Sequence, residues 1–217
     1  MSNDEIVFKI LWFVCLLFSL SVHEAAHAAI ASRCGDPTGR LLGRVTLNPI
    51  PHIDPIGTLV MPLIMIFTNV PFLFGWAKPV PFNPRNLRHP QRDPVLIAIA
   101  GPLSNLLLAL LTIFILRIAF LFFGVEAVYD SLFFKLADTM MILNFILLLF
   151  NLIPVPPLDG GHVLYYFLPE SGQRFLDQIG PFGILFAIFV GSRFIEKPLT
   201  LLAQMADRLL FLGIPIQ

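Results

Sequence analysis

Charged residues are scarce in this chain: 14 Lys and Arg and 14 Asp and Glu make up only 13% of 217 residues, against about 25% in soluble domains. So few charges cannot clothe a water-facing surface. The formal net charge is zero and the basic residues stand singly in loops, which excludes the basic stripe of a nucleic-acid-binding protein. Cysteine is nearly absent. Cys15 lies inside an apolar run and Cys34 just after it, too few and too differently placed for a disulfide framework. A positive leader is also missing, because Asp4, Glu5 and Lys9 precede the apolar residues 10–22. That segment is read as a retained helix, not as a signal peptide cleaved at Ala29-Ile30-Ala31. There is no internal repeat and no low-complexity stretch, and nothing in the sequence specifies an oligomeric state.

What is abundant is apolar: 57% of residues are hydrophobic and 22 are Phe, against about 45–50% apolar residues in soluble domains. One membrane span consumes about 20 residues, and the apolar runs occupy almost the whole length. The predicted fold is an all-α polytopic membrane protein of about four to six transmembrane or re-entrant helices, with short extended pieces in the loops. No room is left for a separate soluble domain, so residues 1–217 read as a single membrane-embedded domain. A first span is predicted at residues 6–31, stopped by Ser32-Arg33-Cys34-Gly35-Asp36-Pro37. Residues 35–55 form a loop rich in Pro, Gly and Arg, with 42–47 as a candidate extended strand. Residues 56–74 are apolar but interrupted by Pro62, Asn69 and Pro71. Residues 95–123 and 136–153 are cleaner helices, the second ended by Pro154-Val155-Pro156-Pro157. A short helix should follow Asp159, and residues 182–190 and 199–214 supply one span with an interfacial helix or a second span.

Within the first span, His23-Glu24-Ala25-Ala26-His27 reads H-E-x-x-H. On a helix the i, i+4 spacing sets the two imidazoles about 40° apart on one face, where they can share a zinc ion. Glu24 projects about 100° from His23, able to reach a water on the metal without being a ligand. Buried ionisable groups are expensive in a bilayer, roughly 2.5–3.5 kcal/mol for one central charge. A zinc ion with two neutral His, one carboxylate ligand and one carboxylate base sums to neutrality and offsets that cost. A catalytic zinc takes three protein ligands and keeps a fourth position open. Asp159 is the leading third candidate: it follows a long apolar helix and is succeeded by Gly160-Gly161, which permit close backbone approach. Its alternative is a cap on the helix from Gly160. His52, Asp54, His89 and His162 are weaker candidates, the first three in loops and the last beside Asp159.

Three separated pieces, His23 to His27, Gly101-Pro102-Leu103-Ser104-Asn105 and Asn151 to Gly161, resemble the site-2 protease family of intramembrane zinc metalloproteases. The resemblance implies His23, His27 and Asp159 as ligands of one Zn2+ per chain. It implies Glu24 as the catalytic base and Asn151 as a residue that orients substrate or stabilises the oxyanion. It further implies hydrolysis of peptide bonds in a membrane-anchored protein substrate within the lipid bilayer. Gly75-Trp76-Ala77-Lys78-Pro79-Val80-Pro81 resembles a compact subgroup without PDZ or CBS modules. The rival readings are a membrane metal-ion transporter or sensor, whose ionisable groups would be spread over several helices, and an inactive membrane scaffold.

For Asp159 to meet His23 and His27, the C-terminal ends of the first span and of helix 136–153 must face one side. Helix 95–123 then runs the opposite way, so 56–74 is expected to enter and return, with a break near Pro62 or Asn69; the alternative is that 56–74 spans fully and part of 75–94 re-enters. Arg33, Arg40, Arg44, Lys78, Arg85, Arg88, Arg92 and Arg174 fall on the active-site side, against Lys9, Arg117 and Lys135 opposite. By the positive-inside rule that side is cytoplasmic, in a plasma (inner) membrane.

Overall fold

The apolar runs fold as helices throughout the residues described, 3–68 and 75–213, of the computed structural model. They are α1 (Asn3–Arg33), α2 (Thr38–Leu41), α3 (Met61–Phe67), α4 (Asp93–Phe123), α5 (Val125–Tyr129), α6 (Leu132–Asn151), α7 (Asp159–Phe167), α8 (Glu170–Phe186) and α9 (Ser192–Phe211). Among them α1, α4 and α6 are long and apolar enough to cross a membrane. Together with a re-entrant segment before and within α3 and the amphipathic α8 and α9, they give the all-α membrane architecture expected. Helix α6 starts at Leu132, four residues earlier than its apolar run, because the Ser131 hydroxyl accepts the Phe134 N–H at 3.1 Å and caps it. No strand occurs among the described residues, and residues 42–47 are a correction to the sequence reading. They turn back after α2, with Gly43 in the left-handed region at φ +69° and Arg44 N–H on the Gly39 carbonyl, and no neighbouring strand is there to pair with them.

The three long helices pack against one another. Leu116 and Phe120 of α4 meet Met141 and Phe145 of α6 and Leu210 of α9 in one cluster, and Cys15, Leu16 and Leu20 of α1 meet Leu143 and Leu147 of α6 in another. The outward faces are also apolar: Leu107, Phe114 and Phe122 of α4 are exposed. In water such a surface would be a liability, whereas in a bilayer it is the solvent-matched face. Helix α9 is long enough to span but carries Arg193, Glu196, Lys197, Asp207 and Arg208, so its exposed face suits an interface better than hydrocarbon.

The described part of segment 56–74, residues 56–68, is too short for a full crossing. Asp54 accepts the N–H groups of Ile56 at 3.0 Å and Gly57 at 2.7 Å, starting the π-helical Pro55–Val60 that runs on into α3. Pro62 lies inside the continuous helical run Pro55–Phe67, at the step from the π-helical turn to α3, and the helix carries on past it without a break. The helical piece Pro55–Phe67 spans about 20 Å at 1.5 Å per residue, short of the hydrocarbon thickness. At its far end the Ile66 carbonyl accepts from Lys9 Nζ at 3.3 Å. The chain then comes back to where it began, with Trp76 N–H on the Gly57 carbonyl at 3.2 Å and the Thr58 hydroxyl on the Trp76 carbonyl at 2.7 Å. A Cβ on Gly57 would stand 2.2 Å from the Trp76 ring, so this closure requires glycine. Asn69 and Pro71 lie outside the described residues.

The returning strap, residues 75–83, is held along one edge. Lys78 N–H donates to the His52 carbonyl at 2.9 Å, and the buried Arg44 guanidinium donates to the Lys78 carbonyl. Asp36, fully buried just beyond α1, accepts from the Thr38 hydroxyl, the Asn83 N–H and the Asn86 amide at 2.6, 2.7 and 2.8 Å. Burial alone would raise its pKa, but these hydrogen bonds outweigh it and hold the carboxyl below its ordinary value.

The closure of Trp76 on Gly57 sets Arg40 and Arg88 at one end of the bundle and Glu126 at the far end of α4, so the first two are expected on one side of the membrane and the third on the other. Single cysteines introduced at these exposed positions should label accordingly with an impermeant maleimide, over a low background because Cys15 and Cys34 are both buried. Labelling of Arg40→Cys and Arg88→Cys from opposite sides would refute the re-entrant path.

Candidate metal centre

Helix α1 carries His23 and His27 one turn apart, and their rings meet edge to face with centroids 4.6 Å apart. The proline turn after α6 carries the chain back towards α1, and α7 opens on Asp159. Its Oδ2 lies 3.1 Å from His23 Nε2 and its Oδ1 3.3 Å from His27 Nε2, while the two Nε2 atoms are 3.0 Å apart. Among the described residues this is the only grouping of His, Cys, Asp and Glu able to hold a metal ion, its ligand atoms all within 4.8 Å of one another. Asp159 is the first residue of α7 and not the residue before it, so the capping alternative does not describe it.

The chemistry of these atoms fits a cation. His27 Nδ1 stands 2.6 Å from the Ile97 carbonyl, which can only accept, so Nδ1 carries the proton and Nε2 presents a lone pair. Asp159 Oδ2 is buried and has no hydrogen-bond partner. Lone pairs converging at about 3 Å without protons repel, and a buried acceptor left unpartnered is costly. A zinc ion coordinated by two imidazoles and one carboxylate removes both penalties and leaves a fourth position open.

Helix α4 closes the back of the site. A Cβ on Gly101 would fall 2.4 Å from His23 Cε1 and 2.4 Å from His27 Nε2, so only glycine lets α4 approach the imidazoles this closely. Asn105, one turn further, places Oδ1 2.7 Å from His23 Nδ1. In front lies a cavity of about 600 Å3, lined by Glu24, Asn151 and the three metal-site residues, and by Trp76 of the strap. Glu24 Oε2 accepts the Val80 N–H at 2.9 Å. Pro79 and Pro81 have no N–H to offer, so Val80 is the single main-chain donor of that tripeptide. Asn151 faces the same cavity and donates to the Leu147 carbonyl at 2.9 Å.

The weaker ligand candidates lie elsewhere. His52 is buried against the Thr46 carbonyl at 3.0 Å, Asp54 caps the re-entrant helix, and the His89 N–H binds Asp93 at 2.9 Å. His162 lines the cavity outside the metal group. Sequence reasoning missed Arg44, Val80 and Asn144. A lone amide within an apolar span was a usable signal for Asn144, whereas a main-chain donor such as Val80 leaves none.

Gly101→Ala should leave the helices folded yet lower zinc retention at least about tenfold, as displaced metal-supporting groups do. Metal analysis after dialysis, with circular dichroism as the folding control, measures it, and full zinc occupancy in this variant would contradict the contact.

The sequence model of peptidase family M50 matches residues 123–190. The chain is 38% identical over 186 residues to "Putative zinc metalloprotease YwhC" of Bacillus subtilis, covering 82% of this chain and 81% of that protein. It is 29% identical over 175 residues to "Putative zinc metalloprotease Rip2" of Mycolicibacterium smegmatis, covering 79% of this chain and 62% of that longer protein. No solved structure matches. A membrane-helix bundle, a buried His-His-Asp grouping and an extended match to such relatives converge on one assignment: the chain belongs to peptidase family M50, the site-2 protease family of zinc metalloproteases.

Proposed function

We propose that residues 1–217 form a single membrane-embedded protease domain that hydrolyses peptide bonds of membrane-anchored protein substrates. In this reading His23, His27 and Asp159 bind one Zn2+, and Glu24 is the general base. The convergence of the two Nε2 atoms on both Asp159 oxygens, at 3.0 to 3.3 Å, carries the proposal. Zinc, when bound, supplies Lewis acidity that acidifies a water and polarises the scissile carbonyl. Glu24 takes the proton of that water and delivers it to the leaving amine. The Val80 N–H, 2.9 Å from Glu24 Oε2, holds the carboxylate in place before substrate arrives. Asn151 faces the cavity from the end of α6, where its amide can turn from the Leu147 carbonyl towards the substrate's developing oxyanion. A helical substrate hides its carbonyls in intrahelical bonds, so it must unwind within the cavity before reaction.

The metal group lies towards the C-terminal end of α1, on the side of the loops that bear Arg40, Arg44, Arg85, Arg88 and Arg92. We infer from the positive-inside rule that this side is cytoplasmic and the membrane the plasma (inner) membrane.

Glu24→Gln should keep one zinc per chain and lose about 100-fold or more of turnover, because it removes the base and no ligand. His23→Ala and Asp159→Ala should lose zinc and activity together. Zinc stoichiometry on purified protein, paired with cleavage of a membrane-anchored reporter, reads both. Substantial proteolysis by Glu24→Gln would remove Glu24 from its role, and full zinc in Asp159→Ala would remove Asp159 from the ligand set.

A further inference from the structure

Ser19, Asn105 and Asn144 are fully buried, one on each of the three spanning helices. They form a line. Asn144 Nδ2 donates to the Met140 carbonyl at 2.8 Å and to Ser19 Oγ at 2.9 Å. Asn105 Nδ2 donates to Asn144 Oδ1 at 2.8 Å, and Asn105 Oδ1 faces His23 Nδ1 at 2.7 Å.

The polarity of this line is set from its far end. The Met140 carbonyl can only accept, so the Asn144 amide must turn its NH2 towards it and its oxygen towards Asn105. A reversed Asn105 would then place oxygen against oxygen at 2.8 Å. Asn105 must therefore present its own oxygen to His23, and His23 must carry its proton on Nδ1. His27 needs no such line, since the Ile97 carbonyl fixes it directly. We propose that Asn144, supported by Ser19, is a positioning residue for the metal centre. Acting through Asn105, it locks His23 in the Nδ1–H tautomer that leaves Nε2 free to bind metal. The link to zinc rests on the metal-site reading above, while the tautomer itself does not.

Removing the Asn144 side chain takes away the one group that distinguishes the two orientations of the Asn105 amide. Once Asn105 turns, its NH2 faces His23 Nδ1 and favours the other tautomer, whose Nε2–H points into the metal site and cannot ligate. A simple packing role for Asn144 would not move a proton on a ring two hydrogen bonds away. Asn105→Asp offers a rescue, because a carboxylate has only acceptors and needs no orienting.

The test is nitrogen NMR of metal-free protein in lipid nanodiscs with 15N-labelled imidazoles, followed upward from about pH 8 until the imidazole signals stop changing, so that both rings are read in their neutral forms. Wild type should show His23 protonated at Nδ1 alone. Asn144→Leu, or the smaller Asn144→Ala if the first does not fold, should show both tautomers at His23 while His27 stays unchanged as the internal control. Asn105→Asp combined with Asn144→Leu should return His23 to the single form. Zinc release to a chelator should be about tenfold faster in the Asn144 variants and recover in the double variant. A single Nδ1–H tautomer at His23 in a folded Asn144 variant, or an Nε2–H tautomer in wild type, would overturn the relay. Either result is independent of whether the protein retains zinc or cuts a substrate.

Discussion

The close approach of α4 to α1 at Gly101 is the contact on which the candidate metal centre depends. Without a Cβ there, the α4 backbone lies against both imidazoles, close enough for the Ile97 carbonyl and the Asn105 amide to reach their Nδ1 atoms. A helix pair separated by one more methyl group would lose both hydrogen bonds and free the rings to rotate. In a bilayer no hydrophobic force drives helices together, so small residues at a crossing decide how near they come. Gly57 plays the same part for the strap, admitting the Trp76 ring against the start of the re-entrant helix.

Burial of polar groups among apolar helices imposes the second constraint. Each amide, hydroxyl or imidazole in the bundle must find a partner in the protein, because lipid offers none. Ser19, Asn105 and Asn144 satisfy one another and end on His23. Among the described residues Arg44 Nε, His52 Nδ1 and Asp159 Oδ2 are buried without a hydrogen-bond partner, and of these only Asp159 Oδ2 lies in the His23, His27 and Asp159 grouping. The unpartnered oxygen of this grouping stands where a cation would fit. Sites that break local satisfaction rules while everything around them is paired are characteristically functional.

The strap supplies a third element, access. A backbone that leaves helical form at membrane depth must line a cavity or be buried in protein. Residues 75–82 line one: Gly75, Trp76, Ala77 and Val80 face the cavity, Trp76 and Lys78 are tied to Gly57, Thr58, His52 and Arg44, and Val80 holds Glu24 at the cavity wall. The wall of the cavity is therefore built by the same chain excursion that holds the Glu24 carboxylate.

Composition and spacing alone settled the membrane class, the three long helices and the pairing of His23 with His27. Apolar content and the 3.6-residue helical period are local properties, readable without knowing what packs on what. The necessity for α1 and α6 to end on one side likewise followed from the sequence, once His23 and Asp159 were asked to meet. The chain could not announce that 42–47 would turn and not extend, since a strand exists only where a neighbour offers hydrogen bonds. Nor could it show that Val80 would hold Glu24 or that Asn144 would stand behind His23. Val80 and Glu24 stand 56 positions apart and meet through a main-chain atom that every residue type shares, and Asn144 reaches His23 through Asn105 by steps of 39 and 82 positions. Periodicity fixes which face of a helix is apolar, but only the packing of one helix on another decides which buried amide meets which imidazole.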